Sequence, residues 1–595
     1  MRLPDWLRHP IFWVRQHDVF YLTALSVVVG VLAGCGALAF RFGIGWISQQ
    51  WVGAPGWGAV LYEIPWYIFL LAPLCGGLLV GCINTWWLEP DAIKIVPGVM
   101  EALALHGGKI RLRKAAGETV SNMVALGSGA SMGREAPTVA LGAAIASLLG
   151  QALRMNEQQM RVLIGCGVAA AIAASFNAPI AGALFALEVI LTDYTIATFS
   201  PIVLAAVIAT VITRATVGNF PAFVVPHFFM DSYLQIPSYL LLGVLCGLLA
   251  ALMIFLLPRV RGAFERHVPN TLIRPAVAGV MLGLLALLVP ELMSMGYGTV
   301  SALLNRSFVP HLLGMSVPLI PFLLLLLPMK LTTSLICAGG GFGTGLIGPS
   351  LFLGTTAGAL FGAVVHGLFP QLTGDYGSYA LIGAGAMMAA ALQAPVSTIL
   401  MLFELSGEYR IMVPLMTACV GASLVKLAFG RDSIFTEILS SRGIETRWGM
   451  ERAWLRSVPV TSIPWRAVPK VPADARLSAL KREYVASGKG CVQVVDEKGL
   501  MIGIVTFHDL KEWLLDSALD EVVVASEVAN RNVKVVSEDA SLLDAISVLD
   551  REEFEQMPVV AADEPRRVLG MLSRNAVFST YHKLIVQHGE VALKA

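Results

Sequence analysis

Apolar residues run in long, repeated stretches through the chain up to about position 427, at 22–40, 67–83, 239–257, 275–290 and 317–328 among others. An α-helical membrane span needs about 20 apolar residues, and several of these stretches are shorter, which predicts tilted or broken helices. Proline inside apolar stretches and a total of 57 glycines fit the same picture, because half-helices that stop at mid-depth are tolerated where they line a cavity. Spans that stop midway predict a transport protein.

After Gly430 the pattern changes. Charges become frequent, and short strand-like apolar runs at 490–495, 500–505, 522–525, 533–536 and 557–560 alternate with helical stretches at 477–487 and 541–551. That alternation predicts a compact soluble α/β region of about 130 residues. The expected organisation is an N-terminal segment at 1–20, a membrane domain at 21–440 in two halves (about 21–220 and 235–440), a linker at 441–456 and the soluble region beyond it.

Composition excludes a single water-soluble globule. The 595 residues are 56% hydrophobic and 14% charged, whereas soluble proteins are about one-quarter charged. A net charge of +1 provides no field to steer nucleic acid, so none is expected as a partner. Charge placement says more: Arg2, Arg8 and Arg15 precede the first span, and Lys109, Arg111, Arg113 and Lys114 cluster between two others. Both regions are expected on the cytoplasmic side. Trp6, Arg8, His9, Arg15 and Asp18 interrupt any apolar core of a cleavable signal. The eight cysteines are scattered singly, without a Cys-x-x-Cys pair or a histidine cluster, so no metal site, disulfide or tightly bound cofactor is expected.

The membrane part repeats itself. Gly133, Pro137, Leu141, Gly142 and Gly150 recur as Gly345, Pro349, Leu353, Gly354 and Gly362, each 212 positions later (345 − 133). Gly167, Ala178-Pro179 and Glu188 recur as Gly383, Ala394-Pro395 and Glu404, each 216 later (383 − 167). Glycine- and proline-interrupted segments at matching places in two halves point to a substrate site between the halves, near mid-membrane.

Gly133-Arg134-Glu135-Ala136-Pro137 places two ionisable residues at the start of an apolar helix predicted over 137–149, with Pro137 in a first turn. Backbone N–H groups at a helix start favour an anion, and Glu135 can itself be that anion. Its carboxylate either fills the site until a proton or a permeating ion displaces it, which describes a gate, or only complements the helix end beside Arg134. Intramembrane carboxylates are usually functional, which favours the gate. The repeat mate Gly345-Leu346-Ile347-Gly348-Pro349 has the same backbone pattern without charges, so its amides are free for an anion. The glycines at 339–341 and 343 let the backbone approach the pathway, or simply let helices pack closely.

These segments resemble the CLC chloride channel and transporter family. Gly133–Pro137 is similar to its Gly-Arg-Glu-Gly-Pro, with Ala136 for one glycine, and Gly345–Pro349 to its Gly-x-Phe-x-Pro; Asn177-Ala178-Pro179 with Glu188 matches its Asn-Ala-Pro helix. The resemblance implies an all-α polytopic membrane domain of inverted-repeat CLC-like architecture, a homodimer in a lipid bilayer, and chloride or another small anion as cargo. It implies Glu135 as gate and anion contacts from Gly133, Arg134, Ala136, Leu346 and Ile347. Three other departures bear on mechanism. The family's Gly-Ser-Gly-Ile-Pro aligns by its proline on Lys94-Ile95-Val96-Pro97, so Lys94 replaces the anion-coordinating serine. Lys94 either binds anions or pairs with Glu89 or Asp91 in a cytoplasmic loop. Phe435 replaces the tyrosine that donates a hydroxyl to the anion. Val189 stands where proton-coupled members have an inner glutamate, as in the family's channels, and Glu188 beside it points about 100° away on a helix.

The soluble region resembles a pair of CBS modules, at 457–518 and 523–583, making an α/β CBS-pair domain. Thr506 and Asp509 in the first module look like the residues that take the phosphate and ribose of an adenine nucleotide (ATP, ADP or AMP), or they form only a capping box. The second module has Ala576 in place of the aspartate. The resulting expectation is chloride permeation, channel-like or weakly proton-coupled, gated by Glu135 and regulated by the CBS pair, in a bacterial inner membrane with cytoplasmic termini. The alternatives are a chloride/proton antiporter with another inner proton route, and a CBS-regulated cation transporter, which would need several carboxylates converging at mid-depth. An enzyme is not expected: an intramembrane protease on Glu135 and Glu188 would need His-Glu-x-x-His or paired aspartates, and neither occurs.

Overall fold

A computed structural model describes residues 18–88, 94–218, 235–312, 315–343, 345–370, 374–442, 455, 458–488, 490–513, 519–551 and 555–581. Arg2, Arg8 and Arg15, the loop with Glu89 and Asp91, and most of the expected linker lie outside these residues. The chain divides into two compact units, Met1–Thr446 and Arg447–Ala595.

The membrane unit is helical. Its first half contains α1 (Asp18–Val52), α2 (Trp66–Trp86), α3 (Ile95–Leu105), α4 (Leu112–Gly127), α5 (Glu135–Ala152), α6 (Glu157–Phe176), α7 (Pro179–Phe185) and α8 (Ile196–Val217). The second contains α9 (Ile236–His267), α10 (Arg274–Ala286), α11 (Tyr297–Leu304), α12 (Leu319–Gly339), α13 (Ile347–Leu368), α14 (Tyr376–Leu392), α15 (Pro395–Ser406), α16 (Met412–Phe429) and α17 (Thr436–Ser440). Among the described residues eight helices are long and apolar enough to cross a membrane. Others, such as α3, α10 and α15, are apolar but short, as the sequence pattern predicts for spans that stop midway.

The two halves correspond element by element. Helix α5 maps onto α13, α6 onto α14 and α7 onto α15 at the sequence offsets. The repeated glycines are explained by close crossings. A β-carbon on Gly142 would strike the Gly167 carbonyl in the α5–α6 pair, and one on Gly354 would strike the Gly383 carbonyl in α13–α14. Small residues at such crossings let backbones pack where no water drives association. Helix α6 ends on Asn177 and α14 on Gln393, both in the left-handed conformation (φ 59° and 54°) that stops a helix before Ala-Pro.

One predicted boundary shifts. The helix expected to start at Pro137 starts at Glu135, so the carboxylate belongs to the first turn instead of preceding it. Helix α7 continues as a π-helical turn, Ala186–Leu191, which carries Glu188 and Val189.

The soluble unit holds two three-stranded sheets of the same design. Strands β1 (Lys470–Pro472), β2 (Cys491–Val495) and β3 (Met501–Thr506) pair in that order, parallel then antiparallel. Strands β4 (Val536–Ser537), β5 (Gln556–Val560) and β6 (Val568–Ser573) repeat it, with a register shift at the equivalent place. Helix α18 (Leu477–Ser487) and the later helix at Leu542–Arg551 pack on them, matching the predicted helical stretches. The runs at 522–525 and 533–536 do not form the strands their valines suggested. Ala525 opens a short helix, Ala525–Val528, and only Val536 of the second run joins a sheet. β-Branched residues fit a pleated surface but do not create a pairing partner.

Candidate anion-binding site

The two repeat loops meet directly. The Gly133 N–H donates to the Gly345 carbonyl at 2.7 Å. Helix α5 begins beside this bond with Arg134 as its N-cap, and α13 begins with Leu346 as its N-cap. The first amides of a helix have no intrahelical partner, so two helix starts with partial positive charge converge at one seam.

Glu135 fills that seam. It is fully buried, and its Oε1 accepts a hydrogen bond from the Tyr297 hydroxyl at the start of α11. Arg134 Nε lies 3.9 Å from Oε1, and its guanidinium sits over the Tyr297 ring, 5.5 Å from the centroid. Oε2 has no hydrogen-bond partner among the described residues. A β-carbon on Gly133 would lie 2.5 Å from Oε2, and one on Gly348 3.2 Å, so both loops need glycine for the carboxylate to fit between them. Ala136, Leu346 and Ile347 are buried beside it.

Tyr297 was not legible in the sequence as a site residue. Its link to Glu135 spans 162 positions, and its local signal is only a turn, Gly296 at φ 71°. That turn is held from outside by Lys330, fully buried in α12, whose Nζ donates to the carbonyls of Leu292 (3.0 Å) and Ser294 (3.1 Å).

Lys94 caps α3, and its Nζ donates to Asn84 Oδ1 of α2 at 2.9 Å. It lines a cavity of about 160 Å³ with Asn84, Arg261, Arg274 and Arg442, four cations counting Lys94, against the single carboxylate of Glu265. Glu89 and Asp91, the loop partners considered for Lys94, are outside the described residues. Ile95 follows at φ 61°. A β-branched residue in the left-handed region is an outlier, and the aligned family signature has glycine there. Phe435 is buried at the N-cap of α17, which packs against α3, and offers no hydroxyl.

Val189 is buried in the π turn. Glu188 beside it is committed elsewhere: Oε1 and Oε2 accept the Val396 and Ser397 amides at 3.1 and 2.7 Å, at the start of α15. Glu404 does the same for Ile180 and Ala181 of α7, at 3.1 and 2.8 Å. The possibility that Glu188 replaces the inner glutamate is therefore opposed by two hydrogen bonds that hold it on the other repeat.

In the soluble unit Asp509 Oδ2 accepts from the Thr506 amide (2.8 Å) and hydroxyl (2.7 Å). The pair forms a capping box over a four-residue helix, Phe507–Leu510. In the second module Ser573 caps instead, accepting the Ala576 amide at 3.2 Å. No group of three or more metal-ligating side chains occurs among the described residues.

A family model for the voltage gated chloride channel matches residues 76–427, and one for the CBS domain matches 460–516 and 525–583. The chain is 34% identical, over 71% of its length and 98% of the relative's, to a ClcB-like candidate chloride channel protein of Ralstonia nicotianae. It is 27% identical to chloride channel protein CLC-f of Arabidopsis thaliana, over 94% of this chain and 80% of that one, and 29% identical to the H(+)/Cl(−) exchange transporter ClcA of Vibrio cholerae, over 72% and 91%. Among solved structures, a slow cyanobacterial Cl−/H+ antiporter superposes with a TM-score of 0.62 at 24% identity, covering 71% of this chain and 97% of that one. A eukaryotic CLC transporter superposes with a TM-score of 0.61 at 19% identity, covering 93% and 97%. With its repeated helix starts and reciprocal carboxylates, the chain belongs to the voltage gated chloride channel family, the CLC channels and transporters, and carries two CBS domains after its membrane unit.

Proposed function

We propose that the protein moves chloride across a bacterial inner membrane along the seam between its two repeats, with Glu135 as the gate. The observation that carries this reading is the Glu135 carboxylate, a tethered anion buried where α5 and α13 start, with one oxygen unpartnered among the described residues. Chloride takes the place of the carboxylate when Glu135 is protonated or displaced. Backbone groups of Gly133, Arg134 and Ala136 on one loop and of Leu346 and Ile347 on the other then hold the ion, as a helix N-terminus holds any anion. Lys94 supplies positive charge at the inner approach, where the basic cavity gathers anions, and Phe435 contributes shape alone. The anion that best fits is chloride, which the names of the Ralstonia, Arabidopsis and Vibrio relatives specify.

Coupling to protons is absent or weak in this reading. Val189 offers no titratable station, and a bare charge buried in an apolar interior costs several kcal/mol even after relaxation. Chloride/proton exchange by another inner route is the second reading, supported by the exchange activity named for the Vibrio relative. The protein works as a homodimer in the bilayer, with its N-terminus and CBS domains cytoplasmic, and the first CBS module binds an adenine nucleotide through Thr506 and Asp509. The deciding experiment is chloride efflux from proteoliposomes in potassium salt with valinomycin present to balance charge, with and without a proton ionophore. Efflux independent of the ionophore supports the uncoupled reading, efflux that needs it supports exchange, and no chloride efflux under either condition overturns both.

A further inference from the structure

Besides Glu135 and the reciprocal caps Glu188 and Glu404, one more carboxylate sits on a helix start. Glu118, in the middle of α4, is 7% exposed, and its Oε2 accepts the Ile95 amide at 3.0 Å. That amide belongs to the first residue of α3, next to Lys94. Its other oxygen, Oε1, has no hydrogen-bond partner among the described residues. Polar groups buried in this way are nearly always paired, so each exception calls for a reason. Ile95 occupies its left-handed conformation here, and such strain is kept where a site needs the geometry.

The surroundings supply the reason. Glu118 lines a cavity of about 510 Å³ between α3, α4 and the first turns of α5, which contributes Pro137, two residues from Glu135, together with Ala140 and Leu141. From the buried carboxylate the cavity reaches His106, Lys109 and Arg111, which are exposed. The charged groups facing Glu118 are Lys114 on its own helix and Lys94 and Glu101 from α3; the α5 wall contributes none. The start of α3 also touches the anion seam. A β-carbon on Gly343, on the approach to α13, would meet Asn122 Oδ1 at 2.6 Å, and Ile95 Cδ1 and Met132 Cε at 3.3 Å. Asn122 lies one turn from Glu118 and donates to its carbonyl at 2.7 Å, and Met132 precedes Gly133.

We propose that Glu118 is an inner gate: its carboxylate occupies the Ile95 amide at the inner end of the chloride pathway until a proton arriving through the cavity releases it. The step is a proton transfer from solvent to Oε1. It converts the carboxylate to a neutral acid, weakens the bond from the Ile95 N–H, and leaves that amide and Lys94 for chloride. This inference rests on the chloride reading above and assigns the pathway two carboxylate plugs, one answering to each face of the membrane.

The test is chloride efflux from oriented proteoliposomes with the pH varied separately on each side, the inner side being the one that exposes Lys109 and Arg111. Acidifying the inner side is expected to raise wild-type flux. Glu118→Gln keeps the shape but not the charge, and a neutral acceptor holds an N–H about half as strongly. Its flux at neutral inner pH is therefore expected to rise about tenfold and to lose inner pH dependence, while outer pH dependence stays. If E118Q fails to fold, Glu118→Asp, too short to reach the amide, is expected to raise flux at neutral inner pH. A wild type indifferent to inner pH, or an E118Q profile identical to wild type, overturns the inner gate while leaving Glu135 untouched. Absence of chloride flux in the wild type overturns the underlying reading instead.

Discussion

Glu188 and Glu404 exchange caps: each places both carboxylate oxygens on two successive amides at the start of the other repeat's Ala-Pro helix. The two residues are repeat mates, so the pseudo-symmetry of the sequence reappears as a reciprocal pair of contacts. Each cap satisfies amides that the helix cannot satisfy itself and sets negative charge against a positive helix end.

Removing one cap is expected to loosen the join between the halves. Glu404→Ala leaves the Ile180 and Ala181 amides without their acceptor, a loss of up to about 3–6 kcal/mol for two charge-assisted bonds. The thermal midpoint of the purified protein should fall, and fall further in the Glu188→Ala/Glu404→Ala double variant. Unchanged melting in both would show that the caps add nothing.

The gate makes a sharper prediction. Glu135→Gln and Glu135→Ala are expected to abolish the outer pH dependence of chloride flux, because no titrating plug remains. Tyr297→Phe removes the hydroxyl that holds Glu135 in place, and a hydrogen bond to a charged group is worth about 1.5–3 kcal/mol. Flux at neutral pH should rise about tenfold or more, with pH dependence retained. Efflux assays that found the wild-type profile in Glu135→Gln would remove Glu135 from the gating role.

Coupling can be read from proton movement. A chloride gradient imposed on proteoliposomes is expected to drive chloride efflux with little or no uphill proton transport, since Val189 carries no proton and Glu188 is held by Val396 and Ser397. Robust proton pumping that scaled with the chloride gradient would contradict this. Its survival in Glu188→Gln would exclude Glu188 as the station.

For the CBS pair, calorimetric titration of the full-length protein with ATP, ADP or AMP is expected to show one site per chain. Asp509→Ala should abolish the heat, and Ala576→Asp should not. No heat at millimolar nucleotide would leave Thr506 and Asp509 as a helix cap only, the geometry they already form with each other.

What the sequence disclosed follows from what repeats. Gly142, Gly167, Gly354 and Gly383 were visible because close helix crossings demand the same residue in both halves. Gly133 and Gly345 were visible because they face one another across the seam. Glu135 was legible from its position before an apolar helix. Tyr297 and Glu118 were not: Tyr297 acts through a partner 162 positions away, Glu118 accepts an amide 23 positions earlier that no local motif marks, and neither residue type recurs at the matching place in the other half. Glu118 left only a faint trace, a carboxylate among Ala115, Ala116, Gly117 and Val120. The strands expected at 522–525 and 533–536 failed for the opposite reason: their valines had the right composition, but only Val536 found a ladder to join and Val524 an isolated bridge.

The exchanged caps also bear on how the chain is made. When α7 and its π turn leave the ribosome, the amides that Glu188 will bind are still 208 residues from synthesis. At about 5–20 residues per second the first repeat waits about 10–40 s with a carboxylate and a helix start that have no mutual partner. A carboxylate inside a bilayer is expensive until it is paired. The first repeat is therefore an unfinished membrane protein during its own translation, and the arrival of residues 395–404 completes both halves together.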